Sequence, residues 1–292
     1  MSDETKPKPD PELRYARTDG FVTATVGPCG HCHKGSVFVE DEHGNSLVKT
    51  CPKCGPLAAQ AGALNAARLP VDPPGANLSA FTIDRPGDPP KSNRGDGVFV
   101  VHTAEGTMLH PAQYRAQALE AVVGYCNAAI SAMALPVDGA GLLLAGPPGV
   151  GKSHLLIGAL RRLAMRAPKI RSRYASAGQV MADCRRSLQA QKETQKLVDE
   201  LVLVPLLALD ELGKGRATDW EIGVADEIVT RRYEAGRATL YATNYSLERE
   251  PAEEDLDALS NRIGGRAFSR AMHRNRVLIL LGNDQRFEGR AA

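Results

Sequence analysis

The segment Gly146-Pro147-Pro148-Gly149-Val150-Gly151-Lys152-Ser153 satisfies G-x-x-x-x-G-K-[ST] at every fixed position. Glycines let a backbone turn tightly and present successive N–H groups to phosphate oxygens. Lys152 is placed as a point charge for the β- and γ-phosphates, and the Ser153 hydroxyl as a ligand for Mg²⁺. An apolar run, Gly141 to Ala145, precedes the loop, and a helical pattern from Ser153 to Ala167 follows it. That context turns the helix N-terminus toward the anion. The alternative, a glycine-rich turn with no ligand, explains neither the lysine nor the hydroxyl.

A metal ligand and a base are expected about 60 residues further on, where Leu206-Leu207-Ala208-Leu209 ends in Asp210-Glu211. An apolar strand that leaves its sheet on two carboxylates would let Asp210 hold Mg²⁺ while Glu211 orients or activates the attacking water. Taken alone, the pair reads equally well as two solvated acids; the phosphate loop upstream makes it specific. Ala242-Thr243-Asn244 closes another short strand. Since the C-terminal ends of parallel strands face the ligand crevice, Asn244 is expected to reach the γ-phosphate or its water.

A second chemistry lies near the start. Cys29-Gly30-His31-Cys32 and Cys51-Pro52-Lys53-Cys54 form two C-x₂-C pairs separated by 18 residues, a spacing that suits one structural Zn²⁺. Val37-Phe38-Val39 and Leu47-Val48 flank the polar stretch Asp41–Asn45, as a hairpin would. His31, His33 and His43 are second-choice ligands. Disulfides are the competing reading; the absence of an apolar signal segment favours a reducing, cytoplasmic setting and hence zinc. Cys126 and Cys184 stand alone and read as packed thiols.

These groups need a frame, and the 292-residue composition allows one: 43% apolar, 24% charged, with 36 basic against 34 acidic side chains. Such balance excludes a wholly disordered chain and gives no argument for nucleic acid from net charge. No run is long and apolar enough for a membrane span. The charge is unevenly spread, however. Arg161, Arg162, Arg166, Lys169, Arg171 and Arg173 form a run without an acid, and residues 258–292 are also arginine-rich. Both are expected to meet DNA phosphates. Helical periodicity over Ala112–Ala134, Ser153–Ala167 and Trp220–Ala235 alternates with short apolar runs at Gly141–Ala145, Leu206–Leu209, Thr239–Ala242 and Val277–Leu281. Alternation of this kind predicts an α/β fold with a parallel sheet covered on both faces. The expected organisation is a disordered tail over 1–20, a zinc-binding module over 21–56, a turn-rich linker with a short helix (Leu57–Leu69) over 57–110, and the ATPase domain over 111–292. The Pro/Gly-rich linker is expected to insulate that domain from the module.

With these residues in place, the chain resembles the AAA+ ATPases of the DnaC/IstB group, the bacterial helicase loaders and transposition helper ATPases. The resemblance runs from Pro111 to Phe287. It rests on the phosphate loop with Ser153-His154-Leu155, the step Asp210-Glu211-Leu212-Gly213, Arg231-Arg232-Tyr233 ahead of Ala242-Thr243-Asn244, and Asn261-Arg262-Ile263 leading into Gly265-Arg266-Ala267-Phe268-Ser269-Arg270. Glu211 stands where many relatives carry a second Asp, which preserves a carboxylate. What the resemblance implies is a P-loop AAA+ domain that takes ATP and Mg²⁺, with His154 extending the nucleotide segment. It implies a homo-oligomer formed on ATP binding, in which an arginine of one copy completes its neighbour's site, Arg270 first and Arg266 second. It further implies a helicase loader that binds single-stranded DNA and a replicative helicase, or alternatively a transposition helper that binds duplex DNA and a transposase. The acids Glu40, Asp41 and Glu42 beside the zinc hairpin would repel phosphates, so that module is expected to dock protein.

Overall fold

In a computed structural model of the chain, the described residues are 10–286 apart from 41, 43–45, 72–74, 86–87, 90–91, 94–98, 104–105, 191–193 and 249–256. The strands are β1 (Leu13–Thr18), β2 (Phe21–Val26), β3 (Ser36–Glu40), β4 (Ser46–Thr50), β5 (Ser92–Asn93), β6 (Phe99–Thr103), β7 (Gly106–Leu109), β8 (Gly141–Ala145), β9 (Ser172–Ser176), β10 (Leu206–Asp210), β11 (Ala238–Thr243) and β12 (Asn275–Ile279). The α-helices are α1 (Gly55–Ala67), α2 (Pro111–Ala132), α3 (Lys152–Arg166), α4 (Ala177–Gln189), α5 (Thr194–Leu203), α6 (Asp219–Glu234), α7 (Leu259–Ile263) and α8 (Gly265–Arg274).

The centre is a parallel sheet in the order β12-β8-β11-β10-β9. Every residue of β8, β10 and β11 is buried, which is why those strands read as continuous apolar runs rather than as alternation. One apolar layer joins α1, α2 and α3 to one face, and a second joins α4 to α8 to the other. A small four-cysteine module precedes this sheet in the chain. The expected helices and strands fall within two residues of those observed at each end. β9, α4, α5 and the antiparallel set β5-β6-β7 were not foreseen.

Two buried guanidinium groups pin the frame. Arg232, on α6, donates to the carbonyls of Leu201 (2.6 Å), Val204 (2.8 Å) and Ala238 (2.5 Å) and to Thr239 Oγ1 (2.9 Å). It thereby ties α5 and β11 to α6, and burial lowers its pKa to about 10. Arg115, on α2, is fully buried and donates to the carbonyls of Ile83 (2.8 Å) and Leu281 (2.7 Å) while pairing with Asp88.

Two expectations about organisation need correction. The tail does not remain unstructured to residue 20: β1 pairs antiparallel with β2 from Leu13↔Val26 to Thr18↔Phe21. Its side chains are mostly exposed, so no apolar alternation announced it. The expectation for residues 1–9 lies outside the described residues, as does most of the polar turn at 41–45. Second, the linker does not insulate. Ala61, Leu64, Ala67, Leu69, Ala76, Leu78 and Phe81 are buried in the same core as α3 and the sheet. Leu78 sits against Gly158 of α3 so closely that a Cβ there would lie 2.8 Å from it. Gln60 donates to Met165 O (2.9 Å) and His154 Nε2 bonds Asn77 O (2.8 Å). The described residues between 55 and 89 therefore form a strap bound to the phosphate-loop helix, where sequence reasoning expected a free spacer.

Candidate functional site

The phosphate loop leaves β8 at its C-terminal end and enters α3 through Gly151, whose φ of +101° suits glycine. A Cβ on Gly151 would lie 2.6 Å from the Phe81 ring, and one on Gly149 1.9 Å from Asp284 Oδ1, so strap and C-terminal segment close directly on the loop. A cleft of about 450 Å³ opens beside it, lined by Lys152, Ser153, His154, Tyr174, Asp210, Glu211 and Asn244, and by Arg85, Gln285 and Arg286. The structure thus brings together the expected loop, the carboxylate pair and the polar Asn244. The expected Gly149 and Gly151 line the cleft as well, whereas Val150 is buried and Pro147 and Pro148 are exposed, none of the three in its lining.

Lys152 Nζ donates to the carbonyls of Gly146 (2.6 Å) and Pro147 (2.7 Å), so two of its three N–H donors are engaged by the loop itself. Burial lowers its pKa to about 8, against an opposing pull from the Asp210 carboxylate. Asp210 is 2% exposed and accepts from the Tyr174 hydroxyl (2.7 Å) and from the Glu211 N–H (2.8 Å). With the Ser153 hydroxyl on the same cleft wall, it offers the hard oxygen donors that Mg²⁺ requires. Glu211 has a left-handed φ of +55°, accepts from Ser176 Oγ (2.7 Å) and pairs with Lys214. Burial would raise its pKa, but the bonds from Lys214 and Ser176 outweigh it and hold the group below its ordinary value, so it is a carboxylate at neutral pH.

The two arginines expected to complete a neighbour's site stand elsewhere. Arg266 pairs with Asp226, and Arg270 lies 3.3 Å from Glu234 and over the Tyr233 ring at 5.6 Å. Neither lines the cleft of its own chain, which is the placement a residue serving a neighbour would need. Sequence reasoning missed Tyr174, Arg85 and Arg286. Arg286 had a usable signal, a cation just beyond the last parallel strand, where chain ends converge on the crevice. Arg85, stacked over Phe81 at 5.4 Å, had none.

At the other site the sulfurs of Cys29, Cys32, Cys51 and Cys54 all lie within 4.8 Å of one another, the one such cluster among the described residues. Cys29 and Cys51 are 3.9 Å apart and Cys32 and Cys54 3.4 Å. Four thiolates at zinc's ~2.3 Å bond length stand about 3.8 Å apart on a tetrahedron, so the donor set fits. Hydrogen bonding with Cys32 and burial push Cys54 up to about 12; a bound cation would supply the charge that four thiolates need. His31 is instead engaged with Lys53 and Asp10. Cys126 and Cys184 are buried, and burial raises both thiols, as packed cysteines require. Cys29→Ser should lower zinc from one per chain to none, measured by atomic emission, and open the β3–β4 hairpin to protease. Full zinc retention by that variant would remove the four-thiolate assignment.

Fold and cleft together define a P-loop ATPase of AAA+ type. The sequence model of the IstB-like ATP binding protein family matches residues 129–289, and the chain belongs to that family. It is 30% identical over 110 residues to the replicative helicase loader DnaC of Escherichia coli K12, covering 37% of this chain. The match spans 44% of the loader's length. Among solved structures, a DnaC helicase loader is similar over 57% of this chain and 90% of its own, at 28% identity and a TM-score of 0.48. AMPPCP-bound DnaA from Aquifex aeolicus is similar over 74% and 53%, at 18% identity and a TM-score of 0.49. No described helix is long and apolar enough to cross a membrane.

Proposed function

We propose that this chain is an ATP-dependent DNA replication protein of the cytoplasm, a helicase loader that grips single-stranded DNA and hands a replicative helicase onto it. The observation that carries the reading is the sequence similarity of 110 of its residues to a replicative helicase loader. ATP occupies the cleft, its phosphates against residues 146–153 and Lys152. Mg²⁺, held by Ser153 and Asp210, neutralises phosphate charge when bound. Glu211 orients and activates the water, Asn244 bonds it or the γ-phosphate, and Arg270 of a neighbouring copy, with Arg266 beside it, meets the charge that hydrolysis develops. Neutral-pH ionisation of Glu211 supports its role as base. The four-cysteine module holds zinc as a structural ion, since four thiolates leave no open position, and the acids Glu40, Asp41 and Glu42 in the sequence of its hairpin favour docking of protein over DNA.

The second reading, a transposition helper that binds duplex DNA and a transposase, is supported by the family model's likeness to IstB. One experiment separates the two. The tagged chain, purified from its host in ATP, should bring down the replicative helicase and bind oligo-dT in preference to duplex. Co-purification of a transposase with preferential duplex binding would overturn the loader.

A further inference from the structure

The basic run Arg161–Arg173 and the C-terminal arginines behave differently in the fold. Arg262 donates to Gly213 O, Arg266 pairs with Asp226, Arg270 faces Glu234 and Arg274 donates to Tyr233 O, so these four spend their charge on partners within the chain. In contrast, no described carboxylate forms an ion pair with Arg161, Arg162, Arg166, Lys169, Arg171 or Arg173. This run lies along the end of α3 and the start of β9, remote from the phosphate loop, because α3 begins at that loop and runs away from it.

The β1–β2 hairpin stands over this surface. It is fixed there by Val22 N–H to Leu69 O (2.8 Å) and Ala24 N–H to Asn65 Oδ1 (2.7 Å), and α1 packs on α3. On one side of the hairpin is a cleft of about 350 Å³ lined by Tyr15, Ala16, Arg17, Val22 and Arg161. Tyr15 is 59% exposed, and Arg17 also has no ion-pair partner among the described residues. On the other side is a second cleft of about 570 Å³, where Phe21, Arg68, Arg173 and Arg186 share the lining with the carboxylates Asp19, Asp183 and Glu200. Arg173 is half-buried there, its pKa lowered by burial and by the Arg68 charge, with partial relief from Glu200. An exposed aromatic ring flanked in one cleft by guanidinium groups with no ion-pair partner among the described residues is an arrangement that can stack a base and hold the adjoining phosphates. A duplex keeps its bases stacked inward and offers that ring nothing to stack on.

We propose that the cleft between the β1–β2 hairpin and α3 binds single-stranded DNA, with a base stacked on Tyr15 and phosphates on Arg17 and Arg161, and with Arg68 and Arg173 extending the path around the hairpin tip. The site rests on the single-strand reading of the preceding section but adds a place, a stacking residue and a role for a segment outside the ATPase core.

The test uses the full chain and fluorescein-labelled oligo-dT, read by anisotropy across a salt series with ATP, with ADP and without nucleotide. Tyr15→Ala should weaken binding about tenfold, within the range one base–aromatic stack carries, while Tyr15→Phe binds as wild type. The double variant Arg17→Ala/Arg161→Ala should reduce the slope of log K against log salt by about 1.4, two phosphate contacts at ~0.7 each. Zinc content, thermal midpoint and ATP binding of the variants serve as fold controls. Bromodeoxyuridine in the oligonucleotide should crosslink to the Tyr15 peptide. If wild type binds oligo-dT but the variants match it in affinity and slope, this site is wrong and the loader reading stands. If wild type binds no single strand in any nucleotide state, both fall. Equal losses for Tyr15→Ala and Tyr15→Phe, or equal losses on duplex, would overturn the stacking assignment.

Discussion

A chain shortened to begin at Gly97 should lose its cooperative thermal transition and its nucleotide together. That deletion removes Leu64, Leu69, Leu78 and Phe81, each no more than 7% exposed, from the core shared with α3 and the sheet. Full burial of such side chains is worth about 1.5–3 kcal/mol apiece. The four together amount to about 6–12 kcal/mol, comparable with the ~5–15 kcal/mol net stability of a whole domain. The deletion also strips Asn77 from His154, Phe81 from the Gly151 turn and the Ile83 and Asp88 partners from buried Arg115. A guanidinium left buried without its carboxylate is among the costliest single defects. A chain beginning at Gly55 keeps every one of these groups and should retain ATP binding without the four-cysteine module. The comparison is made by calorimetry and by titration with a fluorescent ATP analogue. A Gly97 chain that unfolds cooperatively and binds ATP with wild-type affinity would restore the insulating linker.

This outcome also marks where the sequence is readable. Residues 146–153, Asp210-Glu211 and the two C-x₂-C pairs are local patterns, each complete within a few positions, and the structure groups them as their spacing implied. The buried strands β8, β10 and β11 were readable for the same reason, as short apolar runs ended by glycine, by acid and, in β11, by Thr243-Asn244. The strap was not. Leu69, Leu78 and Phe81 are single apolar residues scattered through prolines and glycines, with neither a 2.0 nor a 3.6 period, so their burial is decided by a surface that only the folded α3 provides. Arg85 and Tyr174 reach the cleft from two distant segments, a convergence that no local pattern encodes. β9 begins Ser172-Arg173-Tyr174 and lies at the sheet edge, half-buried; its polar composition concealed a strand that one-sided packing makes possible.

Lys152→Ala should abolish measurable ATP binding, and Glu211→Gln should keep binding while losing turnover. Lys152 is buried among the loop carbonyls of Gly146 and Pro147, so phosphate oxygens would meet a charge already stripped of water. Losing one partner of a buried charge pair costs about 2–5 kcal/mol or more, which lowers affinity at least about thirtyfold. The same burial sets a pH dependence. The free lysine titrates near pH 8, and bound phosphate, being anionic, raises that value. Below pH 8 the lysine is charged with or without ATP, and affinity is flat. Above pH 8 binding must take up a proton, so affinity should fall by up to about tenfold per pH unit until the bound-state value is reached. Glu211→Gln leaves Asp210 and Ser153 in place and should bind ATP within a few-fold of wild type, while turnover drops by about 10²–10⁴, the usual share of a general base. Arg270→Ala should likewise bind and fail to hydrolyse. Mixing it with Glu211→Gln should recover part of the activity, because some interfaces then join an intact base on one copy to an intact arginine on the next. Recovery with Arg266→Ala in place of Arg270→Ala would move the finger one helical turn back along α8. Wild-type turnover by Glu211→Gln alone would take the base away from Glu211.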